Sequence, residues 1–123
     1  VFMNVFNVHV NRSPISGLAE NIVYKKGQFL NASLDKASDK NERSSLIINS
    51  ANGTKIVVVQ IAGLIARRIL GFISLNHNLA QGERFGLIRF GSRVDIYMPL
   101  DAISKCQVGD KVTAGESVLA SFQ

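Results

Sequence analysis

Leu79-Ala-Gln-Gly-Glu83 and Val112-Thr-Ala-Gly-Glu116 repeat one pattern: an apolar residue, two spacers, Gly-Glu, and then an apolar run. That is the pattern of a tight corner feeding a strand, because glycine takes backbone angles closed to other residues and the run beyond it has β character. Gly109-Asp-Lys111 adds a further turn before the second copy. Working outward, the same texture fills the chain. Short β-rich runs separated by glycine and asparagine cover Val1 to Val10, Gly17 to Tyr24, Ser45 to Asn49, Lys55 to Ile61, Arg68 to Ile73, Arg84 to Phe90, Arg93 to Met98 and Ser117 to Phe122, and each is an expected strand. Ser50-Ala-Asn-Gly-Thr54 sets Asn-Gly between two β-branched segments, a hairpin signal. Ile61 to Ile69 fits a short helix or a strand equally well. Asn31 to Ser44 is a polar excursion, long enough to carry function or mobility. The expected fold is all-β, a sandwiched barrel of short strands with an internal pseudo-repeat and at most short helices.

The 123 residues suit one domain, 1–123, and the 46% hydrophobic content with two prolines places it among globular chains. The chain opens at Val1 and enters an apolar stretch at once, so it reads as the C-terminal portion of something longer. Its longest apolar region, Ile56 to Ile73, is interrupted by Gln60 and Arg67-Arg68 and falls short of the roughly 18 to 20 apolar residues of a spanning helix. A single cysteine, Cys106, excludes an internal disulfide framework and reads as a small, half-buried hydrophobe. The net charge of +5 favours anionic partners. The basic residues are scattered, without the interleaved aromatics of a base-stacking platform, so no nucleic-acid partner is expected. With two histidines, one cysteine and no spaced ligand cluster, no metal site is expected either.

Chemistry concentrates at Gly91-Ser92, which breaks the apolar run from Gly86 to Pro99. A serine hydroxyl can attack the carbonyl of the glycine before it and turn the amide into an ester. Glycine suits that step because it tolerates strained backbone. β-Elimination of the ester then cuts the chain and leaves a pyruvoyl group at residue 92, a ketone able to condense with an amine and accept its electrons. His9 ends an alternating strand. With an ordinary pKa near 6.5 imidazole can assist such an attack, although a lone histidine beside apolar residues is also a common structural element.

Five stretches resemble the short bacterial and archaeal branch of the phosphatidylserine decarboxylases, in that family's order and nearly end to end. They are Phe6-Asn-Val-His-Val-Asn-Arg-Ser-Pro14 with Gly17; Gly27-Gln-Phe-Leu-Asn-Ala32; Asp35-Lys-Ala-Ser38 with Asn41-Glu-Arg43; Gln60-Ile-Ala-Gly-Leu-Ile-Ala-Arg-Arg68; and Gly82-Glu-Arg-Phe-Gly86 running into Arg89-Phe-Gly-Ser-Arg93. The repeated corner also resembles that of biotinyl and lipoyl carrier domains, a barrel-sandwich hybrid.

The resemblance implies autocatalytic cleavage between Gly91 and Ser92 into a β chain, 1–91, and an α chain, 92–123, with a covalent pyruvoyl cofactor derived from Ser92. It implies decarboxylation of phosphatidylserine to phosphatidylethanolamine, with His9 as the general base of maturation. It also implies a peripheral place on the cytoplasmic side of a bacterial membrane surface, an α/β heterodimer and a possible higher oligomer. Arg12, Arg67, Arg68 and Arg93 are candidates to hold a phosphodiester or carboxylate, since guanidinium grips such groups with paired hydrogen bonds. The histidine that the larger branch carries three positions before His9 is replaced by Phe6, and no residue in Val1 to Val8 is acidic. Asp95, two residues past Arg93, is expected to face the same side and pair with it. Glu42 and Arg43 are expected to support their loop, and His77 to be a solvated loop residue. Two rival readings stand beside this one: a non-catalytic carrier modified at Lys36 in Leu34-Asp-Lys-Ala37, and a pyruvoyl decarboxylase of a soluble amino acid.

Overall fold

The computed structural model describes residues 1–3, 10–25, 41–62, 69–71, 73–88, 92–113 and 116–122. Among these, all regular structure is β: β1 (Phe2–Met3), β2 (Val10–Arg12), β3 (Gly17–Lys25), β4 (Arg43–Asn49), β5 (Lys55–Ile61), β6 (Ile69–Gly71), β7 (Asn78–Leu79), β8 (Arg84–Ile88), β9 (Ser92–Tyr97), β10 (Ile103–Ser104) and β11 (Ala120–Ser121). They form a six-stranded antiparallel sheet in the order β1-β9-β5-β4-β3-β7, a three-stranded sheet β2-β8-β6, and a small pair β10-β11.

The hairpin at Asn52-Gly53 joins β4 to β5. Gly53 sits at φ +86°, Gly53 N–H donates to Ser50 O, and Ser50 N–H donates to Thr54 O, both at 2.9 Å. Asn52 stiffens the turn by accepting from Ser50 Oγ and, at 3.1 Å, from Thr54 N–H. From there the register runs unbroken from Asn49↔Lys55 to Arg43↔Ile61. Alternation follows: Ile56, Val58, Gln60 and Ala62 share a face with Leu46 and Ile48, while Val57, Val59 and Ile61 share the other.

The first face is the core. Ala19, Leu46, Ile48, Ile56, Val58, Ala62, Leu79, Phe85 and Val94 form one buried cluster, with Ile15, Ile69, Ile73 and Ile96 packed on it. Phe85 and Ile69 come from the three-stranded sheet, so this cluster is the filling between the two sheets. Truncating one of its large members, such as the fully buried Ile48, costs about 2–5 kcal/mol. Gly17 starts β3 where the chain passes so close to β4 that a Cβ would lie 2.7 Å from Asn49 O. No side chain fits there.

The expected strands differ from those observed mainly at their ends. β4 starts at Arg43 and β9 at Ser92, both earlier than the apolar runs suggest, because ladder hydrogen bonds extend past the last hydrophobic residue. Ser117 to Phe122 shrinks to Ala120–Ser121, and β7 and β10 arise from segments with no β pattern of their own. β7 exists because Leu18 and Gly17 pair with Asn78 and Leu79.

Candidate active site

Ser92 opens β9, whose backbone lies between β1 and β5: Met3 pairs with Ser92, Phe2 with Arg93, and Ile61 with Arg93. Positions 92, 94 and 96 therefore belong to the core face, where Val94 is buried and Ile96 packs on the cluster. Positions 93, 95 and 97 belong to the opposite face. There Arg93 meets Asp95 as expected, Nε lying 3.1 Å from Oδ1 and Nη2 donating to Oδ2 at 3.3 Å. Both side chains are largely shielded, which strengthens this charge-assisted bond. The fork of Arg93 is thus turned to Asp95, on the side away from the core.

The core side near Ser92 is polar, unlike the rest of the filling. Gln60 stands opposite Val94, is buried, and donates from Nε2 to Asn11 Oδ1 at 2.8 Å. Asn11 is itself buried and belongs to β2, so this one bond ties the three-stranded sheet to the six-stranded one. In sequence, Asn11 stands two residues after His9. Beside it, Asn41 Nδ2 donates to Ala62 O at 2.7 Å, and Ala62 N–H donates to Glu42 O at 3.0 Å, carrying the β4–β5 ladder one step past Ile61. Glu42 is 7% exposed and Asn41 1%. Burying such groups is costly unless they are satisfied or used. Gln60, Asn11 and Glu42 were not singled out as site residues from the sequence, yet a signal existed: Gln60 falls in phase with Ile56 and Val58, a polar side chain at a core-facing position.

Arg12 lies apart from this cluster, on the exposed side of β2. Its Nη1 donates to Gly82 O at 2.9 Å. Ser13 N–H donates to Glu83 O at 2.7 Å and Gly82 N–H to Ser13 O at 2.8 Å, so β2 is laced to the first Gly-Glu corner. Gly82 takes φ +83°, the left-handed turn the motif predicts. The Glu83 carboxylate accepts from Ala80 N–H at 3.1 Å and meets His77 Nε2 at 2.6 Å, and these two contacts, the backbone bond first, hold its pKa below the ordinary glutamate value. His77 is exposed, as a loop residue should be, but it is engaged rather than merely solvated.

His9, Gly91, Arg67, Arg68 and Lys36 lie outside the described residues, as do 31–40 of the polar excursion, and Ser92 is described through its backbone. Cys106 is a free, half-buried thiol whose Sγ donates to Leu119 O at 3.6 Å. Among the described residues there is no group of three or more His, Cys, Asp or Glu able to hold a metal ion, and no helix long and apolar enough to cross a membrane.

A family profile for phosphatidylserine decarboxylase matches residues 1–120. The chain is 57% identical over 122 residues to a phosphatidylserine decarboxylase proenzyme of Azorhizobium caulinodans, an alignment that covers 99% of this chain and 52% of that protein. It thus spans about half the length of this curated relative. No solved structure matches. A match over nearly the whole chain, on a β framework that sets Ser92 at the head of an internal strand, establishes that the chain belongs to the phosphatidylserine decarboxylase family.

Proposed function

We propose that this chain carries the self-cleaving and catalytic part of a pyruvoyl-dependent enzyme that decarboxylates phosphatidylserine to phosphatidylethanolamine. The observation that carries the reading is the register of residue 92: it heads β9, an inner strand, at a core-face position one step past the Ile61↔Arg93 pair and two residues before Val94, which stands opposite the buried Gln60 of the Gln60–Asn11 bond. Such a position suits a pyruvoyl group. The precursor serine follows a glycine, and buried Gln60 and Asn11 set polar side chains on the core face two positions along β9 from it. Once formed, the ketone supplies an electron sink for the pair released when the substrate's carboxyl group leaves.

The chain's own residues do the rest. His9 takes the Ser92 hydroxyl proton during maturation, and the Gln60–Asn11 bond fixes β2, which follows His9 directly in sequence, over the sheet that holds Ser92. Arg12, Arg67 and Arg68 supply guanidinium groups for the substrate's phosphodiester and carboxylate, whereas Arg93, paired with Asp95 on the opposite face of β9 from residue 92, holds that strand instead. Arg12 donates only one of its five N–H groups to Gly82 in the described contacts. An open hollow of about 360 Å³ along β9, lined by Val94, Ile96, Met98 and Leu119 together with Asp95 and Ser104, supports a substrate with both apolar and polar parts. Leu100 and Val108 stand fully exposed, and these apolar side chains, together with the chain's net charge of +5, support attachment to the cytoplasmic face of an anionic membrane.

The test is mass spectrometry of the full-length protein beside its Ser92→Ala variant. The expected result is a small fragment, 92–123, with a pyruvoyl-blocked end in the wild type only. Assay against labelled phosphatidylserine and free amino acids then gives turnover of the phospholipid alone. An uncut wild-type chain overturns the reading.

A further inference from the structure

We propose that the outer face of the six-stranded sheet, the one turned away from the core cluster, is the seat of a further layer of the same polypeptide, supplied by the part of the full-length protein outside residues 1–123. Register assigns the face. Val57 lies between Ile47 and Tyr97, Val59 between Ser45 and Asp95, and Ile61 between Arg43 and Arg93, while β3 adds Asn21, Val23 and Lys25 to the same rows. Residues paired across strands share a face, so these positions form one surface.

Its composition is wrong for a face left to water. An antiparallel sheet with one solvated side carries polar residues there, alternating with the apolar ones turned to the core. β5 breaks that alternation: Ile56 and Val58 fill the core cluster, yet Val57, Val59 and Ile61 are apolar as well. A strand apolar on both sides is the pattern of an inner layer. Burial matches that pattern over only part of the face. Ile61 is 0% and Val59 8% exposed, a small second core separate from the first. Ile47 and Val57 are half-buried, and Val23 and Tyr97 stand 49% and 56% exposed. The two parts are continuous, because Val57 packs against Val59 and Ile61. A covering that is complete over Ile61 and gone by Tyr97 is an unfinished one.

Length and charge point to the occupant. The chain spans about half the length of its curated relative, so a full-length protein of this kind has a comparable length of polypeptide from which to draw the missing layer. Four strands about 4.8 Å apart make the open rows roughly 14 Å long, which one amphipathic helix of about three turns laid across them would cover. An anionic bilayer fits the face less well, because Asp95 stands in its middle row and engages Arg93. A polypeptide can meet that pair with a polar side chain and the valines with apolar ones.

The experiment uses the full-length protein in the uncut Ser92→Ala background, so its outcome does not depend on the pyruvoyl reading. With Cys106 and any other native cysteine replaced by serine, Tyr97→Cys and the exposed control Lys55→Cys are reacted with a maleimide, natively and in urea. Tyr97→Cys should label about 10²-fold more slowly than Lys55→Cys, and urea should abolish the difference. Hydroxyl-radical oxidation of Tyr97 itself, in the chain carrying Ser92→Ala alone, gives the same answer without a substitution on the face. An open face with Tyr97 at 56% exposure predicts about half the unfolded rate, and a covered one less than about a tenth. Labelling and oxidation at the rates of an open face overturn the proposal. So does protection that arises only with vesicles of anionic phospholipid, which makes the face a membrane contact, and so does protection lost on dilution, which makes it an interface between copies.

Discussion

The two Gly-Glu corners share one local design and little else. In the first, Glu83 N–H donates to Ala80 O at 3.0 Å; in the second, Glu116 N–H donates to Thr113 O at 3.1 Å, at the equivalent positions. In the first the entry amide, Ala80 N–H, is taken by the Glu83 carboxylate, and in the second Thr113 N–H is taken by Ser117 Oγ one residue further on. Beyond the turn they part. Leu79 is 4% exposed within the core cluster, whereas Val112 is 37% exposed. The first corner is laced to β2 through Ser13 and Arg12, while among the described residues the bonds of the second stay within Thr113 to Ser117. The motif dictates the turn, and the partner strand decides whether the turn bears load.

That comparison is sharpest at its apolar residues. Leu79→Ala in the full-length Ser92→Ala background should lose about 2–4 kcal/mol in urea unfolding, and Val112→Ala well under half of that; equal losses would break the distinction. Next in size is Gly82→Ala. Nothing lies within 4 Å of the added Cβ, so the cost is purely that of the left-handed backbone, about 1–2 kcal/mol, and a loss near zero would show that the corner adjusts. Arg12→Ala removes one exposed tie to Gly82 and should cost about 1 kcal/mol or less by the same unfolding measurement. Smallest is the effect of acid. Because the folded pKa of Glu83 lies below its ordinary value, its contribution is complete above about pH 4.3 and fades as the pH falls through the depressed folded value. Unfolding curves at descending pH should therefore flatten slightly in Glu83→Gln, and an unchanged acid limb would remove Glu83 from the account.

Much of the framework was legible because period-two alternation and Asn52-Gly53 act locally. β4, β5, β8 and β9 fall on the expected runs to within a few residues. β7 was not legible, since Asn78–Leu79 becomes a strand only through Gly17 and Leu18, far away in sequence. The site divides in the same way. The Arg93–Asp95 pair follows from spacing along one strand. The Gln60–Asn11 bond joins residues from different sheets, so no linear pattern announces it.

The position of β9 within its sheet has one more consequence. It is an inner strand, with β1 on one edge and β5 on the other, and both neighbours precede residue 92 in the chain. A cut before Ser92 severs the covalent thread but none of the ladder from Arg93↔Ile61 to Tyr97↔Val57, nor the pairing of Phe2 with Arg93. The shorter piece would stay captive between its two former neighbours, and releasing it would require unzipping the middle of the sheet. Proteolysis and permanence of assembly are thereby compatible in one small fold.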